Sequence, residues 1–286
     1  MLAASLCFAL MGVCVKFVAT PPRGAFPAIP VGEIVFWRSG IATIVALAAG
    51  WPQRSRLGGV SRRMLVTRSL VGLASMYAYF FAISRLKLGD AVLLTYLSPL
   101  VVACMAPFVL GEKAPWTVWL ALAVGFAGVW VVEDPTGELA GIGVLAGLAS
   151  AFLAAGAYVS VKLLSRTDSA FTIVLWFSAI ATIVSGVQVA IEGSWVTPDP
   201  RALGALAGVG VFAAGAQLMM TRAYTVSAAA RVSVFGYATP VIAYVLGQIV
   251  LAEAIGWRGA VGCSLLVVAG ALATFLSSEA PTPAPT

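Results

Sequence analysis

The chain has 286 residues, of which 61% are apolar and only 10% are charged, and its mean hydropathy is +1.01. Soluble domains carry about 45–50% apolar and about 25% charged residues, so this composition excludes a water-soluble enzyme, a disordered chain and a nucleic-acid-binding protein of the usual kind. It predicts an integral membrane protein whose net charge of +6 comes from Lys and Arg in loops at the membrane surface.

Apolar runs recur from one end of the chain to the other. About 20 helical residues cross a hydrocarbon core of about 30 Å, and the runs have that length. We predict ten transmembrane helices, over residues 2–19, 31–50, 64–84, 90–110, 115–132, 141–164, 168–191, 202–222, 227–250 and 257–277. The fold class is therefore all-α and integral to the membrane, with short connections. The proline-rich segment 279–286 is predicted to be a disordered tail.

The distribution of basic residues predicts the orientation of the chain. With the N-terminus in the cytoplasm, ten Lys and Arg residues fall at or near inner helix ends and five fall outside. The basic residues of loop 51–63, which are Arg54, Arg56, Arg62 and Arg63, belong to the inner group. Because positive charge favours the cytoplasmic side, both termini are predicted to be cytoplasmic.

The two halves of the chain resemble each other. Residues 34–45 (IVFWRSGIATIV) and 173–184 (IVLWFSAIATIV) are identical at nine of twelve positions. Further along, a shared Y-x2-P-x12-E-x3-W pattern matches Tyr96, Pro99, Glu112 and Trp116 to Tyr237, Pro240, Glu253 and Trp257. This self-similarity predicts a first repeat over 1–134 and a second over 135–278. Five spans per repeat is an odd number, so the second repeat should be inverted, an architecture typical of secondary transporters.

Several stretches carry a resemblance to a known family. They are FALMGVCVK (8–16), FWRS (36–39), LGDAVLLTYLSP (88–99), LSRTDSA (164–170) and AQLMMTRAY (216–224), together with YLSP and GE in one half and YATP and AE in the other. With these motifs, nearly the whole chain resembles the EamA family of the drug/metabolite transporter superfamily. The resemblance implies two inverted five-helix repeats, a bacterial inner membrane location and movement of amino acids or other metabolites.

The resemblance leaves the substrate open. The motifs are similar to those of a bacterial subgroup that includes permeases described as S-adenosylmethionine or riboflavin carriers. Related sequences often have an acidic residue just before Lys16, where this chain has Val13-Cys14-Val15. A proton-coupling role for that acid is therefore absent.

Arg38 is the sharpest candidate for binding substrate. It lies eight residues into its predicted helix, about 10–12 Å deep at about 1.5 Å per residue, where a guanidinium costs about 2.5–3.5 kcal/mol. The repeat has Phe177 at the aligned position, so packing symmetry does not require an arginine. We predict that Arg38 contacts a carboxylate or phosphate of the substrate. The structural alternative is a bond to backbone carbonyls or to a distant acid such as Glu33 or Asp90.

Two further charged residues lie near the outer ends of their helices. Lys16, if it faces inward, would join Arg38 in a positive cavity that favours anionic or zwitterionic solutes; the alternative is that it extends to the membrane surface. Glu33 is a candidate for taking up a proton during transport, and pairing with Lys16 or Arg23 is the alternative.

Arg68 lies near an inner helix end and is interpreted as an anchor at the membrane interface. Ser75 and Tyr79 share its helix face, and this spacing is a weak signal for a common site.

Proline and tyrosine occur at matched positions in the two repeats. Pro99 and Pro240 should kink their helices, because each removes a backbone donor, and we interpret both as hinges or as breaks that line a cavity. Tyr96 and Tyr237 lie three residues before the prolines and are predicted either to line that cavity or to pack in the core.

The remaining candidates are weaker. The matched pair Trp37 and Trp176 could bind substrate or serve only packing. Gln217 must form an interior hydrogen bond, since an unmet buried amide is costly, and its partner is either substrate or another helix. Glu112 and Glu253 end their helices at matching positions and are interpreted as gate or loop contacts.

These observations predict a secondary transporter that moves a small amino-acid-like, carboxylate-bearing or zwitterionic metabolite by alternating access. The alternatives are a carrier or exchanger for a larger metabolite such as S-adenosylmethionine or riboflavin, and a passive channel. We predict no enzymatic activity, no cofactor, no metal site and no nucleic-acid partner, since the chain has no His and no acid cluster within its spans. The expected partners are the metabolite and the lipid bilayer, with assembly as a homodimer left open.

Overall fold

The computed structural model describes residues 1–19, 21, 26–52, 57–85, 94–112, 115–133, 141–251 and 257–275. The regular structure in these residues is helical, without a strand. Its α-helices are α1 (Leu2–Ala19), α2 (Val31–Gly50), α3 (Arg62–Arg85), α4 (Ser98–Val109), α5 (Trp116–Glu133), α6 (Ile142–Leu164), α7 (Ala170–Glu192), α8 (Pro200–Val226), α9 (Ala229–Val234), α10 (Ala238–Leu251) and α11 (Trp257–Phe275). A 3₁₀ turn over Phe235–Tyr237 joins α9 to α10.

The predicted spans agree with these helices to within a few residues except for the fourth and the ninth, and residues 90–93 of the fourth lie outside the described residues. Five helices, α1, α2, α6, α7 and α8, are long and apolar enough to cross a membrane, and α4, α5 and α11 contain shorter apolar segments. The fourth and ninth predicted spans are not continuous helices. Residues 96–97 form a turn before α4, and the 3₁₀ turn interrupts the ninth span. The predicted tail, 279–286, lies outside the described residues.

Local sequence signals set several helix ends. Ser169 Oγ accepts a hydrogen bond from Thr172 N at 3.2 Å at the start of α7, which ends at Gly193 in the left-handed conformation with φ of 60°. Asp199 caps α8 by accepting from Ala202 N at 2.7 Å, and Pro200 occupies the first helical position, where its missing N–H costs nothing.

Helices at equivalent positions in the two repeats make equivalent contacts. α2 packs on α7 and α5 on α11, while α1 with α8 mirrors α6 with α3. Along the first of these pairs Gly32 lies against Val189, Gly40 against Thr182 and Gly50 against Phe171. The contacts descend along α7 as they ascend along α2, so these two equivalent helices run antiparallel.

Two pairs of repeat-equivalent side chains meet each other directly. Thr43 Oγ1 and Thr182 Oγ1 lie 3.5 Å apart between α2 and α7. The rings of Tyr96 and Tyr237 stack with centroids 6.2 Å apart and an interplanar angle of 28°. These contacts bring equivalent positions of the two halves together.

The outside of the bundle is apolar. Large side chains such as Phe108, Ile191 and Ile249 are at least three-quarters exposed. Trp116 and Trp257, a matched pair, are each 71% exposed at the first residue of α5 and of α11. An outer surface of this kind suits lipid, with Trp at the level of the headgroups, and it leaves the polar side chains of the interior as the place to look for a site.

Candidate functional site

A cavity of about 350 Å³ lies between the two halves. The first half contributes side chains from α1 to α4, and the second contributes side chains from α6 to α8 and from residues 233–239. Met1 is part of the lining, so the cavity reaches the end of the bundle at which the chain begins. Cavities between the helices of a bundle are common ligand sites. A second cleft, of about 380 Å³ between Phe36 and Trp195, has no charged lining residue.

Two arginines share the central cavity. Arg38, from α2, is partly buried, with Nη1 3.8 Å from Met76 Sδ. Arg68, from α3, is only 3% exposed. Both guanidinium carbons lie over the ring of Phe177, at 5.9 Å for Arg38 and 4.2 Å for Arg68, within the range of cation–π attraction. The two charges are therefore within about 10 Å of each other.

A glycine makes room for Arg68. A Cβ at Gly72 would lie 3.3 Å from Arg68 Nη1 and 3.2 Å from Phe177 Cε2, which is shorter than an ordinary van der Waals contact. A side chain at residue 72 would therefore require the Arg68 guanidinium or the Phe177 ring to shift by a few tenths of an ångström.

Polar side chains from the second half complete the site. Tyr158 lines the cavity together with both arginines, and its ring stacks on Tyr224 at 5.7 Å. Gln217 is 9% exposed and lines the cavity, and its buried Oε1 has no hydrogen-bond partner in the described part of the chain. An unpaired buried acceptor is costly, so Gln217 is ready to accept a hydrogen bond from a ligand.

The charges of the cavity are not neutralised within the described residues. No acidic side chain is among its described lining residues, and the ion pair found in those parts of the chain, Lys162 with Glu112, lies elsewhere. Of the acids considered as partners for Arg38, Glu33 bonds to other groups and Asp90 lies outside the described residues. Two cations within about 10 Å of each other repel by at least about 1.7 kcal/mol at an effective dielectric constant of about 20. A bound anion would offset this repulsion.

The matched tyrosines and prolines lie at the breaks of the fourth and ninth spans. Tyr96 and Pro99 line the cavity, whereas Tyr237 is 1% exposed behind Tyr96 and donates from its hydroxyl to Tyr96 O at 3.4 Å. The regular α-helix is interrupted just before each proline, so the predicted break lies here, and the predicted hinge role stays a prediction. Pro99 and Pro240 lie in the first turns of α4 and α10, where a missing N–H leaves no intrahelical bond unmade.

Three predicted binding residues lie away from the cavity. Lys16 is exposed on α1 and is not among the lining residues, so it does not join Arg38 there. Trp37 donates from Nε1 to Glu33 Oε1 at 3.3 Å and packs on Trp195. Trp176 donates from Nε1 to Leu57 O at 3.2 Å.

Two of the predicted acidic residues, Glu33 and Glu112, form hydrogen bonds between the two halves. Glu33 is fully buried, and its Oε2 accepts from Val196 N at 2.9 Å. Glu112 Oε2 accepts from Ala229 N at 2.8 Å, and its Oε1 lies 3.6 Å from Lys162 Nζ. Glu253 lies outside the described residues.

Arg68 and Phe177 were not predicted to be site residues. Arg68 is not an interfacial anchor, because its side chain is buried in the cavity wall. The weak signal for it was real: Ser75 and Tyr79, which follow Arg68 at helical spacing, line the same cavity. Phe177 could be found only as the aromatic counterpart of Arg38 in the repeat.

Comparison with known proteins agrees with this architecture. The chain is 32% identical over 239 residues to the pseudopaline exporter of Pseudomonas aeruginosa, which covers 82% of this chain and 80% of that protein. It is 26% identical to the riboflavin transporter of Rhizobium johnstonii, covering 82% and 76%. A solved crystal structure superposes with a TM-score of 0.79 at 22% identity, covering 96% of both chains, which supports the fold.

The family assignment rests on the whole chain. The model of the EamA-like transporter family matches residues 1–133 and again 141–276. Together with membrane-spanning helices around a polar cavity, these matches show that the chain is a multi-pass membrane transporter of the EamA-like family.

Proposed function

We propose that the protein is a secondary transporter for a small metabolite that bears a carboxylate, either zwitterionic or anionic, and that Arg38 is the anchor for that group. The observation that carries the proposal is the central cavity, which holds two arginines and no acid among its described lining residues. Charge-assisted bonds from a guanidinium to a carboxylate are strong and directional. In a membrane interior, an ionisable residue without an internal partner marks a substrate or ion path.

We further propose that the two repeats are inverted relative to each other and that transport proceeds by alternating access. The antiparallel run of α2 against its equivalent α7 supports the inversion, as does the contact of Thr43 with Thr182. In such folds, rocking of one repeat against the other exposes a fixed central site to each side in turn. The breaks before Pro99 and Pro240 are the proposed flexible points, and Ser233 Oγ donates to Pro99 O at 3.4 Å between them.

The proposed gates are hydrogen bonds from backbone N–H groups to buried carboxylates at the two ends of the bundle. Glu33 lies near the end of α7, where it accepts from Val196 N. Asp168 lies before the start of α7 and accepts from Val60 N at 2.7 Å and Ser61 N at 3.2 Å. Because these bonds join opposite halves at opposite ends, opening either end requires its own set of bonds to break.

The relatives leave the substrate class broad. One is named an exporter of pseudopaline and others are named riboflavin transporters, so a larger metabolite is the second candidate. We propose a bacterial inner membrane location, which the family resemblance implies, and cytoplasmic termini, which the charge distribution of the loops supports. Single Cys substitutions at 51–52 and at 193–195 test that orientation. A membrane-impermeant thiol reagent should label 193–195 in intact cells and 51–52 only after the cells are permeabilised.

The test is flux in proteoliposomes. Labelled metabolites with and without a carboxylate are compared, each with and without a pH gradient, for wild type, Arg38→Leu and Arg222→Leu. Arg222 is exposed on α8 and does not line the cavity, so its variant controls for loss of one positive charge. We expect saturable flux of carboxylate-bearing solutes that Arg38→Leu abolishes at unchanged folded yield and Arg222→Leu retains. Equal flux of neutral solutes, unaffected by Arg38→Leu, would overturn the assignment of Arg38.

A further inference from the structure

We infer that Arg68 is a second substrate-binding residue and that, with Arg38, it selects a substrate with two carboxylates joined by a short chain. This inference rests on the proposed transport function and extends it from one anionic group to two. Nothing in the family match or in the names of the relatives assigns a role to Arg68.

The buried donors of Arg68 are the observation that carries this inference. Its side chain is 3% exposed, and its Nε and Nη1 atoms are buried without a hydrogen-bond partner in the described part of the chain. The Phe177 ring at 4.2 Å attracts the charge but accepts no conventional hydrogen bond. Buried donors of a charged group are costly when unpaired. A carboxylate in the cavity would supply the acceptors.

The separation of Arg38 and Arg68 suggests how many carboxylates the substrate carries. Arg38 and Arg68 both line the cavity, and their guanidinium carbons lie 5.9 Å and 4.2 Å from the centroid of the Phe177 ring. They are close enough for one small molecule to reach both. A single carboxylate on Arg38 would leave the buried donors of Arg68 unmet, whereas a second carboxylate on the same molecule satisfies them.

The arrangement is particular to this site and is not imposed by the fold. The repeat counterpart of Arg38 is Phe177 itself, so the exchange of halves does not place a cation on each side. Gly72 leaves the space that the Arg68 guanidinium fills. If position 68 served only to pack the helices, an apolar side chain would suffice there and would bury no unpaired donors.

Gln217 adds a third recognition element. Its Oε1 is buried on the cavity wall without a donor in the described residues. An amino group on the substrate would donate to it. The combination of two arginines with one free acceptor fits an amino dicarboxylate, for which L-glutamate is a simple probe.

The test compares probes of matched size on the purified full-length protein in nanodiscs. Dissociation constants are measured from ligand-induced thermal stabilisation for L-glutamate and for L-glutamine, which differ only in the second carboxylate. The variants are Arg68→Met and Arg68→Lys, with Arg222→Met as the control. Wild type should bind L-glutamate at least about ten-fold more tightly, as the loss of one charge-assisted bond predicts. Arg68→Met should bring the ratio of the two constants close to one.

The control and the conservative variant separate binding from folding. Arg222→Met should keep the wild-type ratio, and Arg68→Lys should give an intermediate ratio, because it retains the charge but loses the planar donors. If Arg68→Met fails to fold, the ratio in Arg68→Lys decides. A ratio near one in wild type, a ratio unchanged in Arg68→Lys and Arg68→Met, or no stabilisation by L-glutamate at tens of millimolar would overturn the inference. The proposed function fails separately, if proteoliposomes show no protein-dependent flux of any solute in the metabolite panel.

Discussion

Gly72→Ala is a one-methyl change that should weaken substrate binding without unfolding the protein. The added Cβ would lie 3.2 Å from Phe177 Cε2 and 3.3 Å from Arg68 Nη1. Ordinary contacts between heavy atoms are about 3.5–4.0 Å, so the guanidinium, the ring or both must move by a few tenths of an ångström.

The effect on stability should be small, because two terms oppose each other. Replacing Gly by Ala inside a helix stabilises it by about 0.8–1.0 kcal/mol. Overpacking a tight site costs about 1–3 kcal/mol, with the low end expected where one partner is the flexible end of an arginine. The net change in the free energy of unfolding should therefore lie within about 1–2 kcal/mol of zero.

The effect on binding should be larger in relative terms. Binding groups work when held within about 0.5 Å of their productive positions, and a misplacement of about 1 Å costs about 100-fold in the related case of catalysis. A shift of a few tenths of an ångström then predicts a rise of about three- to ten-fold in the KM for the carboxylate solute that wild type transports fastest.

The assay measures KM in proteoliposomes and Tm on the same preparations, with Gly156→Ala as the matched control. Gly156 lies in α6, and a Cβ there would meet only Val71 Cγ1, at 3.9 Å. Gly156→Ala should therefore leave KM unchanged and raise Tm slightly. Unchanged KM in Gly72→Ala, or equal rises in the two variants, would refute the reasoning that Gly72 positions Arg68.

Three further variants test other parts of the site. Gln217→Met should remove the preference for L-glutamate over glutarate, which lacks the amino group; a preserved preference in nanodisc binding measurements would count against Gln217 as the acceptor. Asp168→Ala removes the acceptor of two backbone N–H groups, including that of Val60, and should lower the free energy of unfolding by about 2–3 kcal/mol, read from thermal unfolding. Glu33→Gln loses the acceptor for one of its two donors, Trp37 Nε1 and Val196 N. Because this weakens closure at one end of the bundle, it should slow turnover while leaving the dissociation constant of the substrate unchanged. A parallel loss of affinity would argue that Glu33 acts on the binding site and not on the gate.

The helical fold could be predicted from the sequence because its signals are local. Runs of apolar residues fix the length and position of each span, and caps such as Ser169 and Asp199 fix the ends. The breaks in the fourth and ninth spans were only half predicted. Proline signals an interruption, but whether the helix bends through Pro99 or restarts just before it depends on the packing of the Tyr96 turn against Tyr237.

The site was harder to predict because composition carries no information about which face of a helix points inward. Arg38 stood out by its depth in the predicted membrane span. Arg68 is the seventh residue of α3, near the helix start, and was therefore interpreted as an anchor at the membrane surface. Lys16 was a conditional candidate for the interior, with extension to the membrane surface as the alternative, and it is exposed on α1. Only the three-dimensional arrangement, in which α3 and α7 bring Arg68 onto Phe177, distinguishes these cations.

The residues that meet their own counterparts have a consequence for the energetics of transport. In the proposed inverted arrangement, the two facing states differ by exchanging the roles of the halves, so a contact such as Thr43 with Thr182 is present unchanged in both. It can therefore stabilise the carrier but cannot bias the population of one facing state over the other. Only positions at which the halves differ can do so, and the pair of Arg38 with Phe177 is the clearest of them. Under the proposed mechanism, the departures from internal symmetry set the preference of the empty carrier for one side of the membrane.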